Sequence, residues 1–233
     1  MGLIPSCNLA NSQYPEPKGE IGMIKGVPLW EDLARRLFQH RAIKFGAFKL
    51  RLHETNPDAP LSPIYVDLRV ARSFPVLMDT IVLVLRRVIQ AENLKFDYLA
   101  DVPTAATPIV AIMSYQFRIP MVTPREAKTH GSRASIDGSY ESGRTALLVD
   151  DLVTKADSKI AAIRVLEEGG LIVRDVIVLV DREQGGAEQL ARAGYTLHRA
   201  CTLRELLDFY LEEQMINQEL YDKVISYLEA NRS

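Results

Sequence analysis

The sequence predicts an α/β fold in which a central, mostly parallel sheet is flanked by helices and carries a small β flap. Strand-like and helical segments alternate from about residue 73 onwards, as in parallel sheets with helices on both faces. Residues 145–150 and 171–180 are almost continuously apolar, which is typical of central strands buried on both sides. Two earlier strand-like segments, 45–52 and 63–69, are separated by a stretch containing Asn, Asp and Pro, which predicts a flap.

The composition is that of a packed domain. The chain has 233 residues, of which 47% are hydrophobic and 25% charged, which excludes a disordered or fibrous chain. A net charge of -2 gives no general positive field of the kind that binds nucleic acid or anionic membranes. The longest apolar run, residues 74–88, contains three charged residues and is shorter than the roughly 20 residues of a membrane span. The two cysteines are far apart and the start is not signal-like. We therefore expect a cytoplasmic protein without nucleic-acid or membrane partners.

The chain divides into a leader and one domain. Residues 1–27 are rich in Pro, Gly, Ser and Asn without periodicity, which predicts a flexible leader. The domain would cover 28–233, with the flap at 43–70 and the C-terminal helices at 203–231. A mobile catalytic loop is predicted at 124–143, a largely polar stretch of about twenty residues between two strands that is interrupted by glycines. A structureless loop of this length in a compact domain is usually either functional or disordered.

The elements of the domain follow from periodicity and from turn residues. The first helix begins at Pro28 and carries a leucine stripe at Leu29, Leu33 and Leu37. After the flap we predict a helix at 73–93, a strand at 98–103, a helix at 105–117, strands at 120–123 and 146–150, a helix at 158–168, a strand at 172–180, a helix at 187–193, a strand at 195–201, and helices at 203–212 and 217–230.

Three basic residues, Arg125, Lys128 and His130, lie within six positions of one another in the predicted mobile loop. Cations on such a loop can close over a polyanion, neutralise its charge and exclude water. A solvated basic loop without a ligand is the alternative explanation.

Two adjacent carboxylates, Asp150 and Asp151, end a buried strand, and Thr154 and a helix starting near Ser158 follow. Ligands of open α/β sheets bind at this edge. The carboxylates could accept hydrogen bonds from ribose hydroxyls or hold hydrated Mg²⁺, and the helix N-terminus could bind phosphate. An acidic turn that caps the helix is the alternative.

Arg182 follows another apolar strand and offers a planar fork that matches a carboxylate. A surface salt bridge would explain an arginine there equally well. In the flap, Arg51 and Tyr65 lie near Lys49 and Phe48 in the predicted hairpin. Aromatic packing is the commoner explanation for such a cluster.

The order and spacing of these motifs resemble the type I phosphoribosyltransferases, specifically orotate phosphoribosyltransferase, including the form that is one half of UMP synthase. The resemblance extends from about Phe45 to the C-terminal helices. Its most specific part is DREQGG continuing into AEQLARAGYTLHRACTLRELLDF, supported by REAKTHG, VDDLVT and SPIYVDLR. The resemblance implies a type I phosphoribosyltransferase-like fold in which the flap forms a hood.

The resemblance also implies a reaction: transfer of ribose 5-phosphate from phosphoribosyl pyrophosphate (PRPP) to orotate, giving orotidine 5′-monophosphate and pyrophosphate with Mg²⁺ as cofactor. It implies a homodimer in which the mobile loop closes over the neighbouring subunit's site. The implied catalytic residues are Lys128, His130, Asp150 and Asp151; PRPP would be bound by these four with Arg125, Thr154 and Ser158, and orotate by Arg51, Tyr65, Thr154 and Arg182. Mg²⁺ would be held mainly by PRPP, near the two aspartates.

The phosphate-binding segment differs from the family pattern. A Thr-Thr-Gly-Gly-Ser type of sequence is usual there, whereas this chain has Thr-Lys-Ala-Asp-Ser at 154–158. We expect Asp157 to cap the following helix rather than to face the phosphate. Two other functions are compatible with the sequence: an enzyme of the same fold that uses another base, and a catalytically silent, nucleotide-sensing regulator.

Overall fold

The computed structural model describes residues 23–24, 27–49, 53, 56–125 and 136–231. The strands are β1 (Met23–Ile24), β2 (Val27–Pro28), β3 (Ile43–Phe48), β4 (Ser62–Val66), β5 (Tyr98–Asp101), β6 (Met121–Pro124), β7 (Ile136–Asp137), β8 (Thr145–Val153), β9 (Ile172–Asp181) and β10 (Thr196–Thr202). The α-helices are α1 (Leu29–Gln39), α2 (Pro75–Ala91), α3 (Thr107–Phe117), α4 (Asp157–Glu168), α5 (Gly186–Arg192), α6 (Leu203–Glu212) and α7 (Gln218–Ala230).

A six-stranded sheet forms the centre, with strand order β10–β9–β8–β5–β6–β7. Neighbouring strands are parallel except for β6 and β7, which are antiparallel. The predicted mostly parallel sheet is therefore confirmed. Since β5, β6, β8 and β9 run in the same direction, the loops that follow them emerge at one edge of the sheet, where ligands of such folds bind.

Helices cover both faces of the sheet and bury two apolar clusters. One cluster includes residues of α1, α2, α3, α6 and α7, such as Leu33 and Leu85. The other includes residues of α4 and α5, such as Ile163 and Leu190. The stripe predicted for α1 is buried as expected. Within the described ranges, no helix is both long and apolar enough to cross a membrane.

The flap is an antiparallel pair of β3 and β4, as the sequence predicts, but its strands are shorter than expected. β4 ends at Val66, and the chain continues into a 3-10 helix, Leu68–Ser73, so Arg69 lies in that helix and not in a strand. Arg51 lies outside the described residues. Helix α7 packs against β4, and it therefore joins the flap to the body of the domain.

Two segments differ from the predicted pattern. β1 pairs with β2 within the segment predicted as leader and at its boundary, so Pro28 ends a strand and α1 begins one residue later. Ile136–Asp137 forms strand β7 inside the predicted 124–143 loop and pairs with Thr123–Pro124. Strands of two residues are too short to show periodicity in the sequence. Their pairing depends on the neighbouring strand, which a local pattern does not reveal. Lys128 and His130 lie outside the described residues.

Candidate active site

The acid pair lies near the carboxyl end of strand β8, which continues to Val153 and does not end at Asp150 as predicted. Both side chains are buried: Asp150 is 5% exposed and Asp151 is 9% exposed. Asp150 Oδ2 accepts a hydrogen bond from Lys159 Nζ at 2.6 Å, and both side chains of this ion pair are buried. The other oxygen, Asp150 Oδ1, accepts from the backbone N–H of Asp151 at 2.8 Å. Asp151 Oδ1 accepts from the backbone N–H of Leu152 at 2.7 Å. The two carboxylates therefore differ in their partners: Asp150 pairs with the Lys159 ammonium group, whereas the side chain of Asp151 accepts a hydrogen bond from a backbone N–H.

Burial, together with the neighbouring Asp150 charge, raises the pKa of the Asp151 carboxyl to about 7. A buried carboxylate that has no cation as its own partner lacks the hydration that stabilises its charge in water, so the neutral form is favoured. Asp151 therefore changes its protonation close to neutral pH in the ligand-free protein.

The stability of the ligand-free protein should fall as the pH rises from about 4 to about 7. The folded state keeps the Asp151 proton over this range while the unfolded chain releases it, so this stabilisation is complete below about pH 4 and is lost as the pH rises through about 7, a change on the order of 3 kcal/mol. Urea unfolding at several pH values, compared between the wild type and Asp151→Asn, isolates the contribution of this group. Parallel pH profiles for the two proteins would contradict the assignment.

The segment after β8 leads into α4 and carries Thr154, which is half-buried, and Ser158, which is exposed. The prediction that Asp157 caps α4 is wrong: Ala156 is the N-cap residue, without a side-chain cap, and Asp157 is the first helical residue. The Gln189 side chain explains the difference. Its Nε2 donates to Asp157 Oδ1 at 2.6 Å, and its Oε1 accepts from the Ala156 N–H at 2.8 Å, so an amide from α5 replaces the cap.

Arg182 follows β9 and is only 7% exposed, which argues against the alternative of a surface salt bridge. Among the described residues, its Nε and Nη2 have no hydrogen-bond partner. Burial lowers the pKa of Arg182 from its ordinary value, an effect that Tyr227 of α7 partly opposes. A buried guanidinium with unsatisfied N–H groups is costly, so the arrangement calls for an anionic ligand with two acceptor oxygens.

Tyr65 of the flap takes part in packing and in one hydrogen bond. Its ring centroid lies 5.6 Å from that of Phe48 and 5.8 Å from Lys44 Nζ. Its hydroxyl accepts from Arg69 Nη2 at 2.8 Å. These contacts agree with the aromatic-packing explanation of the flap residues, and a contact of Tyr65 with a base stays a prediction.

Arg125 lies at the base of the predicted mobile loop. Its Nε is 3.1 Å from Asp137 Oδ1, so an ion pair links the residue after β6 to the last residue of β7. Residues 126–135 of the predicted loop lie outside the described residues, and a contact of Arg125 with PRPP stays a prediction.

Three residues of this region did not stand out in the sequence: Lys159, Gln189 and Asp101. The helical spacing could have indicated the burial of Lys159. It lies four residues before Ile163 and seven before Leu166, so it belongs to the buried stripe of α4. Asp101 ends β5, is fully buried, and accepts hydrogen bonds from the hydroxyls of Thr107 and Thr123. It therefore ties the start of α3 to the end of β6.

Known proteins are similar to this chain over most of its length. Bovine uridine 5′-monophosphate synthase is 34% identical over 200 residues, which cover 85% of this chain and 40% of that protein. The orotate phosphoribosyltransferase of Pyrobaculum aerophilum is 35% identical, with coverage of 84% of this chain and 97% of that protein. The crystal structure of orotate phosphoribosyltransferase from Aeropyrum pernix matches with a TM-score of 0.69 at 26% identity, over 79% of this chain and 99% of that one. No family model matches the chain.

The mostly parallel sheet flanked by helices and the antiparallel flap place the fold in the class of type I phosphoribosyltransferases. Within this class, similarity to Pyrobaculum aerophilum orotate phosphoribosyltransferase extends over nearly all of that protein. The chain belongs to the orotate phosphoribosyltransferase family. It spans 40% of the bovine synthase, so it corresponds to one part of that longer relative.

Proposed function

We propose that the protein transfers the 5-phosphoribosyl group from PRPP to orotate, giving orotidine 5′-monophosphate and pyrophosphate in UMP biosynthesis. The observation that carries this proposal is the buried Arg182, whose Nε and Nη2 have no partner among the described residues. Orotate brings a carboxylate that can accept two parallel hydrogen bonds from a guanidinium. Uracil, hypoxanthine and adenine have no such group, so Arg182 favours orotate as the acceptor.

The other site residues match the parts of PRPP. The Thr154–Ser158 segment would bind the 5′-phosphate, with the start of α4 supplying backbone N–H groups. The acid pair near the carboxyl end of β8 would supply the carboxylate that accepts hydrogen bonds from the ribose hydroxyls. The reaction develops positive charge at the ribose C1 and negative charge on the departing pyrophosphate, and Arg125, Lys128 and His130 would stabilise the latter when the loop closes.

Mg²⁺ is the proposed cofactor, and the described residues allow it only a modest protein contribution. In the described part of the chain, no group of three or more His, Cys, Asp and Glu side chains could hold a metal, and Asp150 already pairs with Lys159. Mg²⁺ commonly binds through one or two carboxylates together with substrate phosphates. We therefore expect the pyrophosphate of PRPP to provide most of its ligands, with the ion neutralising part of the pyrophosphate charge.

We further propose a cytoplasmic homodimer with shared active sites. The mobile loop of one subunit would close over the site of its neighbour and place Lys128 and His130 beside the partner's PRPP. A closed two-fold arrangement makes the two sites equivalent.

Asp157→Asn should strengthen PRPP binding by about three- to tenfold at low salt, because it removes a negative charge beside the proposed phosphate site. The gain should shrink between 50 and 300 mM salt, since ions screen exposed charges over roughly 10 Å. Titration calorimetry with PRPP and Mg²⁺ measures both effects. Asp79→Asn makes the same change at an exposed position of α2 and serves as the control. An unchanged affinity for Asp157→Asn would place the phosphate elsewhere.

A pyrophosphate-release assay with PRPP and Mg²⁺, run in parallel with orotate, uracil, hypoxanthine and adenine, tests the proposed function. Release with orotate alone supports it, and uracil is the matched control because it is orotate without the carboxylate. Release with another base would point to a different acceptor. Binding of PRPP without release for any base would favour the nucleotide-sensing regulator.

A further inference from the structure

We propose that Lys159 is a positioning residue that withdraws Asp150 from the ligand and leaves Asp151 as the carboxylate that binds the ribose of PRPP. This inference rests on the proposed function, because PRPP is the ligand concerned. It assigns different tasks to two residues that the family resemblance treats as equivalent, and it gives a role to a buried lysine that the proposed reaction does not otherwise use.

The first argument is the set of partners of Asp150. Lys159 Nζ lies 2.6 Å from Asp150 Oδ2, and the two residues are 3% and 5% exposed. The second oxygen of Asp150 accepts the backbone N–H of Asp151 at 2.8 Å. Each oxygen of Asp150 thus already accepts a hydrogen bond within the protein, and the ion pair holds this carboxylate toward Lys159. Breaking this buried ion pair to reach a ribose hydroxyl would leave an ammonium group buried without a partner, which is strongly unfavourable.

The second argument is the contrast with Asp151. Within the described residues Asp151 forms no ion pair, and its side chain accepts the backbone N–H of Leu152 at 2.7 Å. Asp151 can therefore accept a hydrogen bond from a ribose hydroxyl without breaking a buried ion pair.

The third argument is the place of the ion pair in the fold. Asp150 lies near the end of β8 and Lys159 in the first turn of α4, so the pair bridges the segment that would hold the 5′-phosphate. It fixes the two ends of that segment relative to each other. Lys159 also neutralises one of the two adjacent carboxylate charges. Two uncompensated negative charges beside the ligand would repel the phosphates of PRPP and oppose PRPP binding.

The test compares four variants of the full chain with the wild type by titration calorimetry with PRPP and Mg²⁺ in the absence of a base. Lys159→Gln should weaken PRPP binding by at least about tenfold, because it leaves Asp150 as an uncompensated buried charge. Adding Asp150→Asn should rescue the affinity to within about threefold of the wild type, since the two amides can hydrogen-bond to each other without charge. Asp151→Asn should weaken binding at least about tenfold, and adding Lys159→Gln should not rescue it.

Lys223→Gln, at an exposed position of α7, controls for the loss of a lysine charge. If Asp150→Asn/Lys159→Gln binds PRPP no better than Lys159→Gln alone, Asp150 contacts the ligand and the proposal is wrong. If Lys159→Gln lowers the melting temperature but leaves the PRPP affinity unchanged, Lys159 is only structural and the proposal is also wrong. A wild type that binds PRPP but forms no orotidylate would refute the proposed function while the affinity comparison still decides the role of Lys159.

Discussion

Arg182→Met should produce a more stable protein that no longer uses orotate. In the ligand-free state the substitution removes a buried guanidinium whose Nε and Nη2 lack partners among the described residues, so the melting temperature should rise. With substrate, it removes one partner of a buried charged pair, a loss of roughly 2 to 5 kcal/mol. We therefore expect kcat/KM for orotate to fall by at least about thirtyfold. Thermal unfolding and steady-state kinetics on the same preparation measure both effects.

The matched control is Arg174→Met, which makes the same change at an exposed position of the same strand, β9. It should leave both the melting temperature and the kinetics near their wild-type values. The ratio of kcat/KM for orotate to that for uracil gives the sharpest comparison, because only orotate has the carboxylate that Arg182 is proposed to bind. An unchanged ratio in Arg182→Met would show that another group selects the base.

The sequence predicted the sheet well because its signals are local. The apolar runs at 145–150 and 171–180 correspond to β8 and β9. The helix predicted at 203–212 matches α6. Its start is marked by a capping box between the N-cap residue Thr202 and Glu205 of the first turn, which is a local sequence signal. β1, β2 and β7 were not predicted, because each has only two residues. A segment of this length shows no periodicity of its own and is defined by its pairing with a neighbouring strand.

The site was predictable only in part, because its decisive contacts join residues that are distant in sequence or belong to different elements. Asp157 was expected to cap α4, and no local pattern shows that Gln189, 32 residues later, already bonds the Ala156 N–H. The same holds for Arg182, which is 7% exposed in the folded chain and whose guanidinium is influenced by Tyr227 of α7. Motifs therefore predicted candidate site residues, and tertiary packing determines the contacts that the described ones make.

Lys128→Ala should reduce kcat by about a thousandfold and change PRPP affinity much less, because a loop contact that tightens in the transition state contributes little to ground-state binding. Mixing this variant with Arg182→Met should restore activity if the loop acts across the dimer. Half of the randomly exchanged dimers would be mixed, and each would combine an intact Arg182 site with an intact partner loop at one of its two sites. The expected recovery is about a quarter of the wild-type activity.

A mixture of Lys128→Ala with Arg125→Ala is the control, because both changes lie on the loop and no mixed dimer then has an intact loop. It should stay inactive. Native mass spectrometry of each mixture confirms that subunits have exchanged. If mixed dimers of Lys128→Ala and Arg182→Met form without regaining activity, the loop closes over its own subunit, because each mixed dimer would then have one defect in each site. Recovery therefore requires both a dimer and a loop that serves the neighbouring site.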